Sequence, residues 1–390
     1  MSVNALNTEQ AYQLIADLHE MATGVQTVTP TDLSDFISVA QATLAAGTEK
    51  VLNAISQVVG RTIYAVRDYN RKFNGLEVSA DKWGGIIRKI SFADRDPIDA
   101  EAYSLTDGTA VDQYKVRKAN VLETRYVGSD VWDGCYTIYT DQLITAFSSP
   151  AAFSDFMAAL MQHFSNEREQ WLEDMARASL ANFIGAKAII NSGADVIHLL
   201  TEYNAATGLS LTSTTVKQPA NYPPFIRWCY ARINDISDKM TERSQLYQQV
   251  ITNKPIFRHT PKADQRAYIS ADILSSMRAE VKSITYNESF LDLAETEAVG
   301  YWQAIDSPNA LQVTPVYVDT SGTVTVGAAQ SLTNVIGVIF DRDAICYNVK
   351  VDTMETTPYN AKGRYWNLFN HLDIQYQNDF TEKGVVLCLD

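Results

Sequence analysis

Cysteine is scarce in this sequence. Its 390 residues hold only four, Cys135, Cys229, Cys346 and Cys388, far apart and never in a CxxC pair. That spacing argues against a zinc ribbon or a disulfide framework and suits a reducing compartment. Positive charge is in deficit too: Lys and Arg total 32 against 46 Asp and Glu, a formal charge of −14. Such a surface repels phosphates, which argues against a protein that reads nucleic-acid sequence. No apolar run approaches the roughly 20 residues needed to cross a bilayer. The start, Met1-Ser2-Val3-Asn4-Ala5-Leu6-Asn7, has no basic stretch ahead of an apolar one, so no secretory signal is expected.

Catalytic signatures are missing as well. There is no P-loop, dinucleotide fingerprint, GxSxG elbow or HExxH. The five histidines, His19, His163, His198, His259 and His371, have no ligand spacing. His163 and Glu167 stand four apart, as an ordinary helix contact or half a metal site would. Asp94, Asp96 and Asp99 lack the glycine and closing Glu of a calcium loop. The aromatic group Tyr359, Tyr365, Trp366 and Phe369 fits core or interface packing better than a ligand site. No internal repeat supports a solenoid or propeller. No cofactor, metal or catalytic residue is expected.

What is there reads as architecture. The composition, 46% apolar and 20% charged, is that of a globular chain able to form two or three compact units. Leu6, Ala11, Leu14, Ile15, Leu18 and Met21 fall at helical spacing, with Gly24 placed to end that helix. Asp32 is a candidate cap for a second helix through Leu44, and Thr48 for a third, where Val51, Leu52, Ile55, Val58 and Val59 share a face and Gly60 closes it. Short amphipathic helices in series need something to lie against. They either pack on their own chain or form an arm that covers neighbouring subunits.

Residues 61–147 are richer in β formers, at 63–66, 85–92, 121–127 and 132–139. Asp94, Asp96, Asp99, Glu101, Asp107 and Asp112, opposed only by Arg95, precede Lys115, Arg117 and Lys118. This arrangement predicts an extended hairpin with an acidic tip and a basic return. It is either a solvated loop of one subunit or a match for patches on another copy. The clearest helix covers 151–184, with Phe153, Met157, Leu160, Phe164, Trp171, Met175 and Phe183 at helical spacing. Glu167, Arg168, Glu169 and Glu173 interrupt that face or turn away from it. Ser148-Ser149-Pro150 supplies its start and Gly185 its stop, giving a strut roughly 50 Å long.

Beyond it, 207–224 reads as an exposed loop. A helix carries Ile226, Cys229, Ile233, Ile236 and Met240 on one face, and a strand at 268–273 turns into a helix holding Met277 and Val281. Strands at 311–318 and 323–326 flank a turn at Thr320-Ser321-Gly322. Further strands at 335–340, 346–351 and 384–389 return toward the long helix.

Taken in order, arm, long hairpin, strut, mixed middle and returning strands resemble the Hong Kong 97-type capsid fold, an α+β architecture. The similarity is to the major capsid proteins of phi-29-type short-tailed phages and runs from about Gly47 onward. It is best at 51–91, 123–186, 268–290 and 335–389. Its marks are Gly134-Cys135-Tyr136 followed by Asp141-Gln142-Leu143-Ile144-Thr145-Ala146-Phe147, then Asp341-Arg342-Asp343, Met354-Glu355-Thr356, Asn360, Gly363 and Tyr365-Trp366-Asn367. The resemblance implies an N-terminal arm at 1–60, an extended loop and its base at 61–135, and a peripheral domain with its spine helix at 136–190. It further implies an axial domain at 191–334 and return strands of the peripheral domain at 335–390. The immunoglobulin-like module that some relatives append is not expected, because no train of short strands follows.

The implied function is structural: many copies, as pentamers and hexamers, form an icosahedral or prolate head shell around double-stranded DNA. The implied partners are a scaffolding protein during assembly and a portal at one vertex. Arg88, Lys89, Asp94, Asp96, Lys115, Arg117 and Lys118 are the expected contacts between subunits. Lys82, Lys89, Lys115 and Lys118 lie where the phage that names the fold forms a Lys–Asn cross-link, though nothing marks one as reactive. The alternatives are an encapsulin-like compartment shell, another virion part such as a portal or tail protein, and a cytosolic α/β enzyme.

Overall fold

The computed structural model describes residues 8–26, 29–45, 71–78, 86–97, 105–114, 116–146, 149–252, 254–282 and 295–390. The expected helix at 48–60 and strand at 63–66, together with Leu6, Lys82, Asp99, Glu101, Lys115 and Ser148, lie outside them.

Helices α1 (Thr8–Thr23) and α2 (Leu33–Ala45) come first, then strands β1 (Ile86–Phe92), β2 (Val121–Val127) and β3 (Asp130–Tyr139). A short α3 (Thr140–Ala146) precedes the long α4 (Pro150–Lys187). Next come β4 (Val196–His198), α5 (Leu199–Thr207), α6 (Tyr222–Thr241), β5 (Gln265–Ser270), α7 (Ala271–Lys282) and β6 (Glu295–Val299). Four short strands follow: β7 (Leu311–Val313), β8 (Val316–Val318), β9 (Val324–Val326) and β10 (Gln330–Leu332). The chain closes with β11 (Val335–Asp341), β12 (Ile345–Thr356), β13 (Tyr365–Asn378) and β14 (Gly384–Cys388). It divides into two discontinuous units. One is Met1–Gly84, Gly128–Met175 and Asn348–Gln375, and the other is Gly85–Val127, Ala176–Tyr347 and Tyr376–Asp390.

In the first unit the opening helices end and start as their sequence dictates. Gly24, at φ 74°, gives its N–H to the Glu20 carbonyl at 2.7 Å, and Asp32 Oδ1 accepts the Asp35 N–H at 2.8 Å. Ala11, Ile15, Leu18 and Ala22 of α1 and Phe36 and Ala40 of α2 are buried with Ile138, Phe153, Leu160, Phe164, Trp366 and Leu368. Within the chain, α1 and α2 therefore have a surface of their own to lie against. Burial at about 1.5–3 kcal/mol per Leu, Ile or Phe side chain holds such short helices where propensity alone would leave them marginal.

Their floor is a three-stranded sheet ordered β12-β13-β3. Strand β13 pairs antiparallel with β3 from Tyr365↔Tyr139 to Ile374↔Asp130. From Tyr365 to Ile374 it alternates, with Trp366, Leu368, Asn370, Leu372 and Ile374 turned inward. The sequence reading stopped at the aromatic block 365–367 and missed this strand.

The long helix begins where expected, with Ser149 Oγ accepting the Ala152 N–H at 3.2 Å. It then runs through Gly185 to Lys187, 38 residues in all, or about 57 Å. Gly185 is not a stop; a Cβ there would lie 2.3 Å from Val313 Cγ1, so the position is set by close packing. Arg168, Glu169 and Glu173 interrupt the apolar face rather than turn away from it, for all three are buried. Arg71 Nη1 and Arg168 Nη1 each reach Glu169 Oε1 at 2.8 Å, Arg168 Nε reaches Asp352 Oδ2 at 2.8 Å, and Glu173 Oε2 accepts the Lys72 N–H at 3.1 Å. Arg71, Lys72 and Asp352 come from distant parts of the chain, so helical spacing could not reveal them.

The second unit is built on a five-stranded sheet ordered β4-β14-β11-β5-β6. Strand β11, buried along its whole length, lies antiparallel to both β14 and β5, while β4 and β6 add parallel edges. Ile226, Cys229, Ile233, Ile236 and Met240 of α6 join Ile273, Leu274 and Met277 of α7 in the core with Ile269, Ile339 and Leu387. The 207–224 loop is largely exposed except for Val216. Of the strands expected at 335–340, 346–351 and 384–389, β11 and β14 complete this sheet, whereas β12 lies beside β13 in the three-stranded one.

Candidate functional site

The expected contact residues cluster on the β1–β2 hairpin, and the register of that hairpin sorts them. Pairing runs antiparallel from Ile86↔Val127 to Phe92↔Val121. With a period of two, Ile87, Lys89 and Ser91 share one face with Tyr126, Thr124 and Leu122, while Arg88, Ile90 and Phe92 share the other with Arg125, Glu123 and Val121. The first face is half-buried; on the second, Arg88, Ile90, Phe92, Arg125 and Val121 are exposed.

The covered face is an anchor. Lys89 Nζ donates to Asp379 Oδ2 at 2.8 Å and to Glu382 Oε1. Arg258 adds Nε to Glu382 Oε1 at 3.3 Å and Nη2 to Ser91 Oγ at 2.9 Å. Burial works to lower the Lys89 pKa, but the two carboxylates outweigh it and hold it above the usual lysine value. Burial likewise opposes ionisation of Asp379, yet Lys89 and Thr381 keep its carboxyl below the ordinary range. For Glu382 burial wins, and its carboxyl is pushed up despite Lys89 and Arg258. Burial, then Asp379, pushes up the Tyr126 phenol on the same face. Just beyond β1, Asp94 is gripped three ways: its N–H donates to the Pro255 carbonyl at 2.7 Å, Oδ2 accepts the Phe257 N–H at 2.6 Å, and Oδ1 pairs with Arg243. Lys89 and Asp94, expected at contacts between copies, are thus paired within the chain. Their side-chain partners, Arg243, Asp379 and Glu382, lie far along the sequence and carried no local signal.

The open face and the tip differ. Glu123 Oε1 accepts from Arg125 Nε and Arg88 Nε, each at 2.7 Å, and these bonds hold its carboxyl down to about 2. Asp96, Arg117 and Lys118 are exposed; Lys115 lies outside the described residues. The Lys118 carbonyl accepts from Arg95. The tip is not only charged: Tyr114 is 81% and Val116 80% exposed, with Leu105 and Val111 also open to solvent. Sequence reasoning passed over these apolar positions because the surrounding charges drew attention away from them.

The chemistry considered from sequence takes its place around this. His163 and Glu167 approach to 3.6 Å on an exposed helix face. Tyr359 packs on Trp366 at 4.7 Å between ring centroids and Tyr139 on Tyr365 at 6.1 Å, an aromatic contact set rather than a cleft. Among the described residues no group of three or more His, Cys, Asp or Glu could hold a metal ion, and no helix is long and apolar enough to cross a membrane.

A search of curated proteins found no relative of significant similarity. Among solved structures, the capsid structure of Staphylococcus phage Andhra is similar with a TM-score of 0.55 at 11% identity, over 83% of this chain and 85% of that one. A chain in the structure described as head fibre and inner core protein gp22 of native bacteriophage P68 gives 0.53 at 11% identity, over 82% and 85%. The fold is therefore of the Hong Kong 97 type. The family model for the Phi29-like phage major capsid protein matches residues 14–386, and the chain belongs to that family.

Proposed function

We propose that this capsid subunit tiles its shell through the hairpin, which is anchored on one face and open on the other. The observation that carries this reading is the contrast between Lys89, tied to Asp379 and Glu382, and the open tip at Tyr114 and Val116. An anchored base fixes the direction of the hairpin, and apolar groups left in water at its end gain only when something covers them. On this reading Arg88, Asp96, Lys115, Arg117 and Lys118 meet neighbouring copies, while Lys89 and Asp94 set the pose from beneath. The subunits form pentamers and hexamers of a closed icosahedral or prolate head, a scaffolding protein guides assembly, and a portal occupies one vertex. Single contacts are weak, about 0–1 kcal/mol for an exposed ion pair, and repetition around the shell makes closure stable. We assign 1–60 to the arm, 61–135 to the extended loop, 136–190 to the peripheral domain, 191–334 to the axial domain and 335–390 to strands serving both.

The charge of −14 gives the wall no means of condensing duplex DNA, so the genome is driven in rather than gathered by the wall. Electron microscopy of particles from cells expressing the chain tests the proposal. Closed shells are expected from the unaltered chain, and open sheets or small oligomers from Tyr114→Ser with Val116→Ser. Closed shells at undiminished yield from that variant would refute the role of the tip.

A further inference from the structure

The ribbon formed by β8 and β9 has one edge mostly tied to the rest of its unit and one open edge. It pairs antiparallel, Val316↔Val326, Tyr317↔Thr325 and Val318↔Val324. The Asp319 N–H bonds to the Thr323 carbonyl and the Gly327 N–H to the Pro315 carbonyl, both at 2.8 Å. Odd-numbered residues therefore bond across the ribbon, and the N–H and C=O groups of Val316, Val318, Val324 and Val326 point outward from its edges. On β8 three of its four outward groups are occupied. The Asn182 side-chain amide donates to the Val316 carbonyl at 2.9 Å and accepts its N–H at 2.7 Å, and Gln249 Nε2 donates to the Val318 carbonyl at 2.6 Å. On β9 the outward groups of Val324 and Val326 have no partner among the described residues.

The side chains repeat the asymmetry. All four valines stand on one face of the ribbon, where Val324 is 69% and Val326 67% exposed. Tyr317 and Thr325, on the other face, are half-buried. Charge is missing too: from Ser307 to Phe340 the only ionisable side chains are Asp319 and Tyr317, in a chain of net charge −14. Natural edge strands are commonly blunted by lysine, proline or a bulge; β9 carries none of these. Two copies of so acidic a chain repel one another over most of their surface. An uncharged patch escapes that repulsion, and loss of charge marks the core of a protein interface.

We infer that the open edge of β9 and the valine face beside it form a contact with a second copy of this chain. The inference rests on the shell reading and adds a second contact, independent of the hairpin. Asn182 and Gln249 hold the ribbon in shape before the copy arrives, so docking need order little.

The test is amide hydrogen exchange by mass spectrometry on fragments spanning 313–328, comparing unassembled chains with closed shells. Val324 and Val326 are expected to exchange at least about tenfold more slowly in shells, while Val316, already bonded to Asn182, changes little. Val324→Glu with Val326→Glu should leave the circular dichroism and melting of the unassembled chain unaltered and cut shell yield at least about tenfold. Equal exchange in both forms, or shells formed by the double variant at normal yield, would overturn the inference. Protection that appears only when a different protein coats the shell would overturn it as well. Failure of the unaltered chain to form any particle would instead bring down the shell reading, and this inference with it.

Discussion

Lys187 Nζ lies 2.8 Å from Asp195 Oδ2, and neither side chain is more than 5% exposed. The same ammonium donates to the Tyr247 carbonyl at 2.9 Å. A pair so enclosed gains little net stability over an apolar filling, but breaking it strands a charge. Lys187→Ala is expected to lower the unfolding free energy by about 3–5 kcal/mol, read from the urea midpoint. Lys187→Met combined with Asp195→Leu should recover most of it. Equal losses in the single and double variants would show that the pair is not what the site needs.

The hairpin anchor should leave a pH signature. The folded pKa of Lys89 is raised, so its contribution is fully present below its ordinary 10.5 and is lost as pH rises through the higher folded value. Asp379 is lowered, so its contribution is present above 3.8 and is lost as pH falls through the folded value. Glu382, raised above 4.5, has the opposite sign: its protonation relieves the burial of its charge, so it adds stability as pH falls through its folded value. Lys89→Met should therefore cost about 1.5–3 kcal/mol at neutral pH. The gap from the unaltered chain, followed by denaturant titration, should be level from about pH 6 to 10 and narrow on either side.

Gly185→Ala sets helix propensity against space. In an open helix the change gains about 1 kcal/mol. Here the new methyl would lie 2.3 Å from Val313 Cγ1, and overpacking of that kind costs about 1–3 kcal/mol. A net fall in melting temperature is expected, with recovery when Val313→Ala is added. A rise in the single variant would mean that the neighbouring strand yields easily.

Glu169 and Glu123 each bridge two arginines, in opposite surroundings. Glu169 is buried between Arg71 and Arg168, and Glu169→Gln is expected to cost about 3–5 kcal/mol in denaturant unfolding. Glu123 joins Arg88 and Arg125 on the open face, where solvent screens the pairing, and Glu123→Gln should leave the unfolding midpoint unchanged. Comparable losses in the two variants would show that burial does not decide the value of these bridges.

Much of the fold was legible wherever a residue acts on its near neighbours. Gly24, Asp32 and Ser149 mark helix ends by bonding within four positions, and the apolar stripe of α6 needs only its own period. The alternation from Trp366 to Ile374 was equally local and could have been read as a strand. Gly185 misled because glycine is a common stop, while its reason here is Val313. Whether Arg168, Glu169 and Glu173 interrupt the apolar stripe or turn from it is decided by Arg71, Lys72 and Asp352, which local spacing does not reveal. The hairpin shows the same division. Its two strands could be recognised from β formers, but which face Lys89 takes depends on Asp379 and Glu382.

That last dependence has a bearing on biogenesis. Lys89 leaves the ribosome 290 positions ahead of Asp379. At about 5–20 residues per second, translation leaves the anchor incomplete for roughly 15–60 s. Strand β14, which pairs with both β4 and β11, is also made after Asp379. The nascent polypeptide thus cannot fix its hairpin until Asp379 and Glu382 have been made, which holds back polymerisation at least that long.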